Sequence, residues 1–428
     1  MRVPRPMKAT LIALVATTCV VTLAPAAQAW EPAGGAVFNN PKGEFAARWR
    51  IVHAVNRAIQ HAPKRSRIMV SSFLMDAKSS ADALIAARRR GVAVQVVLDG
   101  NDGRTGQARR MARALNRDNK PRLKGVNDRG IPRKWGRDGG FVAFCHGTCR
   151  GHGDGNNHTK FYAFTKTGTA KNVVMVSSSN LNKGGAGKGW NDMYVMKDRS
   201  TLLRRYATIH AQMARDRSFG KRNYRAFQAG NVTARFFPRP KGPDPVLRDL
   251  QNVRCHGAIG GAGRNGRTAI NISMFAWNNI RGMDIARRLV QLRRNGCQVS
   301  IVYGAPSAQV RDYLAASARR GGVKLWDSRI DRNKNGLFDL RVHHKYLLIN
   351  GVYAGDRSAW RVHAGSQNWG RGTLRKGDEN TINIVSRKAY TQYIRNWDSV
   401  AKASRRIGGP QEAEVASTQP MLRALLFG

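Results

Sequence analysis

The sequence predicts an α/β protein made of two similar half-domains. Strand–helix–strand units follow one another in series, which implies mainly parallel pairing. The same order of segments then occurs twice. R-I-M-V-S-S-F-L-M followed by A-A-R-R-R-G-V-A-V-Q-V-V-L-D-G in the first half parallels A-I-N-I-S-M-F-A-W followed by Q-L-R-R-N-G-C-Q-V-S-I-V-Y-G in the second. The period is one half-chain, so this is an internal duplication and not a solenoid.

Residues 1–29 read as a secretory signal peptide. Arg2, Arg5 and Lys8 form a basic start, Leu11 to Leu23 an apolar core, and Ala27-Gln28-Ala29 a cleavage site before Trp30. The apolar run is too short to span a bilayer comfortably, and nothing later resembles a transmembrane helix. Residues 30–43 are an N-terminal segment, and residues 44–236 are the first half-domain. Phe45, Trp49, Val52 and Ile59 recur at helical spacing, so Glu44 to His61 reads as one amphipathic helix. A strand at Arg67 to Met75 follows, then a helix from Ser80 to Arg90, with Ser79 or Ser80 as cap and Gly91 at its end. Val92 to Leu98 is a buried strand, and residues 104–116 form a further helix. Asn119 to Asp154 is an approach loop rich in Gly, Arg and Pro.

Residues 237–245 form a Pro- and Gly-rich linker, and residues 246–410 are the second half-domain. It repeats the pattern: a short helix at Pro243 to Val253, a strand at Ala269 to Trp277, a helix at Asp284 to Arg294 and a strand at Cys297 to Tyr303. A helix at Gln309 to Arg319 and a short strand at Val323 to Trp326 complete it. Residues 411–428 are a less basic tail with an apolar end.

Each half also carries a polar pattern. His158-Thr159-Lys160 precedes the apolar run Phe161 to Phe164, and a returning strand ends in Ser177-Ser178-Ser179-Asn180. His343-His344-Lys345 precedes Tyr346 to Ile349, and the return ends in Gly365-Ser366-Gln367-Asn368. On a strand His343 and Lys345 share a face, and His344 points the other way and reads as structural. A histidine, a lysine, a hydroxyl and an amide on one face suit a phosphate: several donors, and a ring nitrogen that attacks or transfers a proton.

At these residues the sequence resembles the phospholipase D superfamily, whose signature is H-x-K-x4-D followed by G-S-x-N. The resemblance implies a duplicated fold with the active site at a pseudo-twofold interface between the half-domains. It also implies a histidine nucleophile from one motif, placed at His158, and a histidine acid/base from the other, His343. Lys160 and Lys345, with Ser178, Asn180, Ser366 and Asn368, are expected to hold the non-bridging oxygens. Two departures stand out. The motif aspartate is Thr165 in the first copy and Asn350 in the second, and the first G-S-x-N begins with Ser177. Trp190-Asn191-Asp192 and Gly377-Asp378-Glu379-Asn380 each follow the Ser/Asn end, and Asp192 and Glu379 are expected to orient the motif histidines.

The chain carries 74 Lys and Arg against 26 Asp and Glu, a formal charge of +48. This favours polyanions: nucleic acid, an anionic lipid surface or a wall polymer. The cysteines that follow the signal peptide, Cys145, Cys149, Cys255 and Cys297, suit two disulfides in an exported protein, Cys145–Cys149 and Cys255–Cys297 being preferred. Zinc on Cys145, His146, Cys149 and His152 is the alternative for the first pair. Asp331 to Gly336 with Asp339 begins like a calcium loop, but position twelve is Val342; an Asn-Gly turn is the plainer reading. No cofactor is required. The expected activity is that of a secreted phosphodiesterase acting on phospholipid, with a secreted nuclease and an inactive polyanion-binding envelope protein as alternatives. Two motifs in one chain remove the need for a dimer, so a monomer is expected.

Overall fold

The structure is a computed structural model that describes Met1 and residues 30–117, 139–151, 154–220 and 223–408. The expected signal peptide, the C-terminal tail and most of the expected approach loop therefore lie outside the described residues. A seven-stranded sheet runs in the order Gly35–Phe38, Asp192–Met196, Ala170–Ser177, Phe161–Thr167, Arg67–Ser72, Ala93–Leu98 and Phe141–Phe144. A ten-stranded sheet repeats its inner part. There Asn380–Val385, Asp356–Gly365, Lys345–Tyr353, Ala269–Met274, Gln298–Tyr303 and Lys324–Asp327 correspond to the six strands from Asp192 onward.

Only three strands of each sheet pair in parallel, so the sheets are mixed. In each sheet the strand that follows the H-x-K residues joins its successor by a tight turn, as at Gly168-Thr169, and such a hairpin can only pair antiparallel. The segment expected as one helix from Glu44 divides into Phe45–Arg48 and Arg50–Gln60. Ser80 is no cap: it lies inside the helix Lys78–Arg89 and donates to Asn56 at 2.7 Å. The hairpin Arg225–Ala229/Val232–Phe236, assigned to the first half-domain, instead extends the second sheet through Asn380–Val385. Residues 30–43 are also structural, because Gly35–Phe38 forms the edge of the first sheet.

The halves share a core. The helices Ser200–Ala214 and Arg387–Lys402 lie between the two sheets, and Tyr206, Met213, Tyr393 and Trp397 join Met69, Phe161, Tyr346 and Val362 in one buried cluster. Separate apolar layers cover the outer faces, under Arg50–Gln60 and Lys78–Arg89 on one side and Asn279–Arg294 and Ala308–Arg319 on the other. Both preferred disulfides form, Cys145–Cys149 and Cys255–Cys297. The sulfurs of Cys145 and Cys149 are thus bonded to each other, which overturns the zinc alternative; His152 lies outside the described residues. In the Asp331 loop the carboxylates accept main-chain N–H groups: Gly336 donates to Asp331 and Arg332 to Asp339, both at 2.8 Å. The loop closes on its own amides as a turn. Among the described residues no group of three or more His, Cys, Asp or Glu is placed to hold a metal.

Candidate active site

Each H-x-K sits at the start of a strand, Lys345 being the first residue of its own, and each is held by the opposite half. The main-chain N–H of His158 donates to Asp378 O at 2.9 Å, and that of His343 donates to Trp190 O at 2.8 Å. A short parallel pair, Arg341–Val342 with Gly189–Trp190, completes the second junction. Gly189 is needed there, because a Cβ would come within 2.9 Å of His343 Cβ. The two motifs are thereby brought to one interface, and all four side chains are buried.

The ring contacts follow the same exchange between halves. His158 Nδ1 lies 2.9 Å from Glu379 Oε1, and the Ser366 hydroxyl donates to Glu379 Oε2. His343 Nδ1 lies 2.8 Å from Asn191 Oδ1, and the Ser178 hydroxyl donates to the same oxygen at 3.1 Å. The Asn191 amide donates to Gly185 O and Gly189 O, so Oδ1 faces His343 and Nδ1 of that ring carries the proton. In both histidines Nε2 is then the nitrogen available for chemistry. Lys160 Nζ donates to His158 O at 3.0 Å, and Lys345 Nζ donates to His343 O at 2.8 Å and contacts His343 Nε2 at 2.8 Å. Phe73 and Phe275 form matching walls, with ring centroids 5.4 Å from His158 and 4.8 Å from His343.

Three expectations need correction. Asp192 does not orient His343. It accepts from the Tyr393 hydroxyl at 3.0 Å, because its neighbour Asn191 faces the ring and successive residues alternate faces. The Ser178 and Ser366 hydroxyls are engaged by the partners of the histidines, Asn191 and Glu379, rather than open to a ligand. Asn180 accepts from Ser72 at 3.3 Å, whereas Asn368 has a buried Oδ1 without a partner and lines the site. The other expected residues, His158, Lys160, His343, Lys345 and Glu379, are brought together as anticipated. His344 turns away and contacts Ser273 at 3.0 Å, as its strand parity implies.

The departures from the signature have local explanations. Thr165 accepts the Arg67 N–H at 2.8 Å, and Asn350 accepts the Gly263 N–H at 2.7 Å. Both lie five residues past the lysine, or roughly 16 Å along a strand, too far to touch the reacting groups. Gly365 has φ +145°, and a Cβ there would meet Asn380 O at 2.3 Å. Ser177 meets the equivalent carbonyl, Asp192 O, with a hydroxyl at 2.7 Å instead.

Burial and mutual charge set the electrostatics. Burial, then the charges of Lys160 and Lys345, push His158 well below its ordinary 6.5; burial, then Lys345 and Lys160, do the same to His343. Each histidine thus feels the lysine of the other half. Burial lowers Lys160 to about 7 and holds Lys345 well below its ordinary 10.5, while it raises Glu379 to about 8. A site with two lysines, two histidines and a single carboxylate at its histidines lacks negative charge, and a bound phosphodiester supplies it. Asp378 braces the Glu379 segment by accepting the Cys149 N–H at 2.5 Å, which ties the disulfide loop to the site. A cleft of about 350 Å³ opens on His158, lined by Asn101, Asp102, Asn156, Asn368, Thr373 and Lys376 among others; every lining side chain is polar or belongs to glycine.

The arrangement thus sets two imidazole rings beside two lysines, a set of groups that can supply a nucleophile, a proton donor and cations for a phosphate. The comparisons agree with this architecture. A family model described as "Cardiolipin synthase, PLD-like domain" matches residues 55–214 and 264–400. The fold is similar to that of phosphatidylserine synthase from Haemophilus influenzae Rd KW20, at 12% identity and TM-score 0.58, over 89% of each chain. Polyphosphate kinase from Porphyromonas gingivalis matches at 10% identity and TM-score 0.49, over 85% of this chain and 50% of the kinase, so this chain spans half of that protein's length. A phospholipase D family member, Nuc, from Salmonella typhimurium matches at 19% identity and TM-score 0.28, over 41% of this chain and 96% of its own. No curated protein matches the chain.

Proposed function

The chain belongs to the phospholipase D superfamily, and from that premise we propose that it is an exported phosphodiesterase that cleaves the headgroup bond of phospholipids. His158 Nε2 attacks phosphorus and the P–O bond to the leaving alcohol breaks, giving a phosphohistidine. His343 protonates the departing oxygen, then takes a proton from the water that attacks the phosphohistidine. Lys160, Lys345 and Asn368 stabilise the charge on the non-bridging oxygens.

The observation that carries this reading is the unequal support of the two rings. A histidine that bonds to phosphorus becomes cationic, and Glu379 is the carboxylate that balances it. A histidine that gives up a proton is a stronger acid without such a partner, and His343 has the neutral Asn191. Asn191→Asp is therefore expected to raise the His343 pKa, because a carboxylate beside the ring favours its charged form. The imidazolium would persist to higher pH, so the alkaline limb of the pH–kcat profile should move up. An unmoved profile would remove Asn191 from this role.

Phospholipid is supported by the pairing of both motifs in one chain, export by the N-terminal signal pattern and the two disulfides. Among the described residues no helix is long and apolar enough to cross a membrane. Nucleic acid is the second reading, favoured by the +48 charge and a cleft lined by polar residues and glycines. Purified protein should be assayed on phosphatidylcholine micelles and on plasmid DNA at two salt concentrations. Choline release is the expected result. DNA cleavage that falls steeply with salt, without choline release, would transfer the assignment to a nuclease.

A further inference from the structure

The parallel strands of both halves end at the active site, so the connections that follow them form a single face around its mouth. Three of the large apolar side chains that stand exposed lie on this face. Phe45 is 57% exposed, seven residues beyond Phe38, whose Cα pairs with Asp192. The link between them passes Asn39, which donates to the carbonyls of Gly185, Ala186 and Gly189 beside His343. Ile280 is 66% exposed at the start of the helix that follows Ala269–Met274, and its neighbour Arg281 donates to Asn368 O and Gly370 O. Leu337 is 49% exposed on the loop that runs directly into Arg341 and His343. Each comes from a different connection, and each adjoins a different part of the site.

Cations accompany them. Lys42, Arg332 and Lys334 are exposed on the links that carry Phe45 and Leu337, and Lys183, Lys188 and Arg371 are exposed on the segments that follow the two Ser/Asn ends. Of the nearby acids, Asp154 pairs with Lys376, Asp76 accepts the Lys183 main-chain N–H, Asp331 and Asp339 accept loop amides, and Glu44 is exposed beside Phe45. Ile259 and Val385, also exposed, lie at the opposite ends of their strands. Ile259 is on the loop that enters Ala269–Met274, and Val385 is at the far end of Asn380–Val385.

We propose that this face docks on an anionic lipid bilayer, with Phe45, Ile280 and Leu337 inserted among the headgroups and the accompanying cations paired with lipid phosphates. The proposal rests on the phospholipid reading of the site and deepens it. No apolar side chain lines the cleft on His158, so apolar contact with a bilayer comes from the rim. Separate apolar tips accompanied by cations match an interface that is apolar below its headgroups and negative at its surface. A nucleic acid offers the same negative charge but no apolar layer for Ile280 and Leu337.

The test uses full-length mature protein and the triple variant Phe45→Ser/Ile280→Ser/Leu337→Ser, with Ile259→Ser/Val385→Ser as a control. Binding is read by co-sedimentation with vesicles of phosphatidylglycerol and phosphatidylcholine in equal parts. Catalysis is read on the same vesicles and on dispersed short-chain phosphatidylcholine. The wild type and the control should sediment with the vesicles. The triple variant should bind at least about tenfold more weakly and lose vesicle hydrolysis in proportion, while its rate on the dispersed substrate and its melting temperature are maintained. Equal vesicle binding by wild type and triple variant overturns the proposal, as does a wild type that cleaves the dispersed lipid but ignores the vesicles. If neither form cleaves the dispersed substrate, the enzymatic reading fails by itself, and sedimentation still decides the docking face.

Discussion

Replacing His158 by alanine is expected to abolish turnover on every substrate, and replacing His343 by alanine is expected to spare one step on one kind of substrate. The difference follows from the roles of the two rings. Without His158 Nε2 no bond to phosphorus can form, whatever the leaving group. Without His343 the first step loses only its proton donor, an effect of about 10²- to 10⁴-fold for an alkoxide leaving group. p-Nitrophenolate is stable without a proton, so a p-nitrophenyl phosphodiester should still transfer its phosphoryl group to His158 in the His343→Ala variant. The expected result is a burst of p-nitrophenol, one equivalent per enzyme, followed by slow turnover, because His343 is also the base that activates water. The burst should coincide with acid-labile phosphate on the protein. A burst in His158→Ala and none in His343→Ala would exchange the two roles.

These roles could be only partly anticipated from the chain. The H-x-K pairs were legible because two residues at fixed spacing recur in two halves and need no knowledge of the fold. Glu379 was legible as the acid that follows a Ser/Asn end. Its counterpart was displaced by one position: an acid at Asp192 looked like the partner, but strand parity turns Asn191 to the ring and Asp192 to Tyr393. Residue type alone cannot resolve parity when the decisive contact comes from the other half of the chain. Phe73 and Phe275 could have been found, since they are the aromatic residues at the same point of the two repeated strands. The helices Ser200–Ala214 and Arg387–Lys402 were not anticipated, although Leu202, Tyr206, Ile209 and Met213 in one and Tyr390, Tyr393, Trp397 and Val400 in the other recur at helical spacing. They also explain why the halves behave as one body: Tyr393 and Trp397, on one helix, donate to Asp192 in the first sheet and to Ile272 O in the second.

Glu379→Gln is expected to remove most of the activity and yet to stabilise the empty protein. Burial raises this carboxyl from its ordinary 4.5 to about 8, against the pull of Lys160, the Ser366 hydroxyl and Lys345. The folded state therefore holds the proton more tightly than the unfolded chain. The stability this confers is complete below pH 4.5 and is lost as the pH rises through about 8. Glutamine keeps the shape of the protonated acid at every pH. Its advantage should be absent in acid, grow across that window and then level off, visible as a melting temperature above the wild type at pH 8 and equal to it near pH 4. Catalysis responds in the opposite direction. Phosphohistidine formation places positive charge on the His158 ring, and an amide cannot balance it, so kcat should fall by about 10²- to 10⁴-fold. Asn191 already shows the distinction, since an amide serves the ring that must release its proton and a carboxylate serves the ring that must bear the bond. A Glu379→Gln variant that is less stable than wild type at pH 8, or that retains full kcat, would show that Glu379 is a structural acid. If the expected result holds, the site keeps a buried carboxylate at a cost to the empty fold, and the substrate's own negative charge, shared with Lys160 and Lys345, completes the balance when it binds.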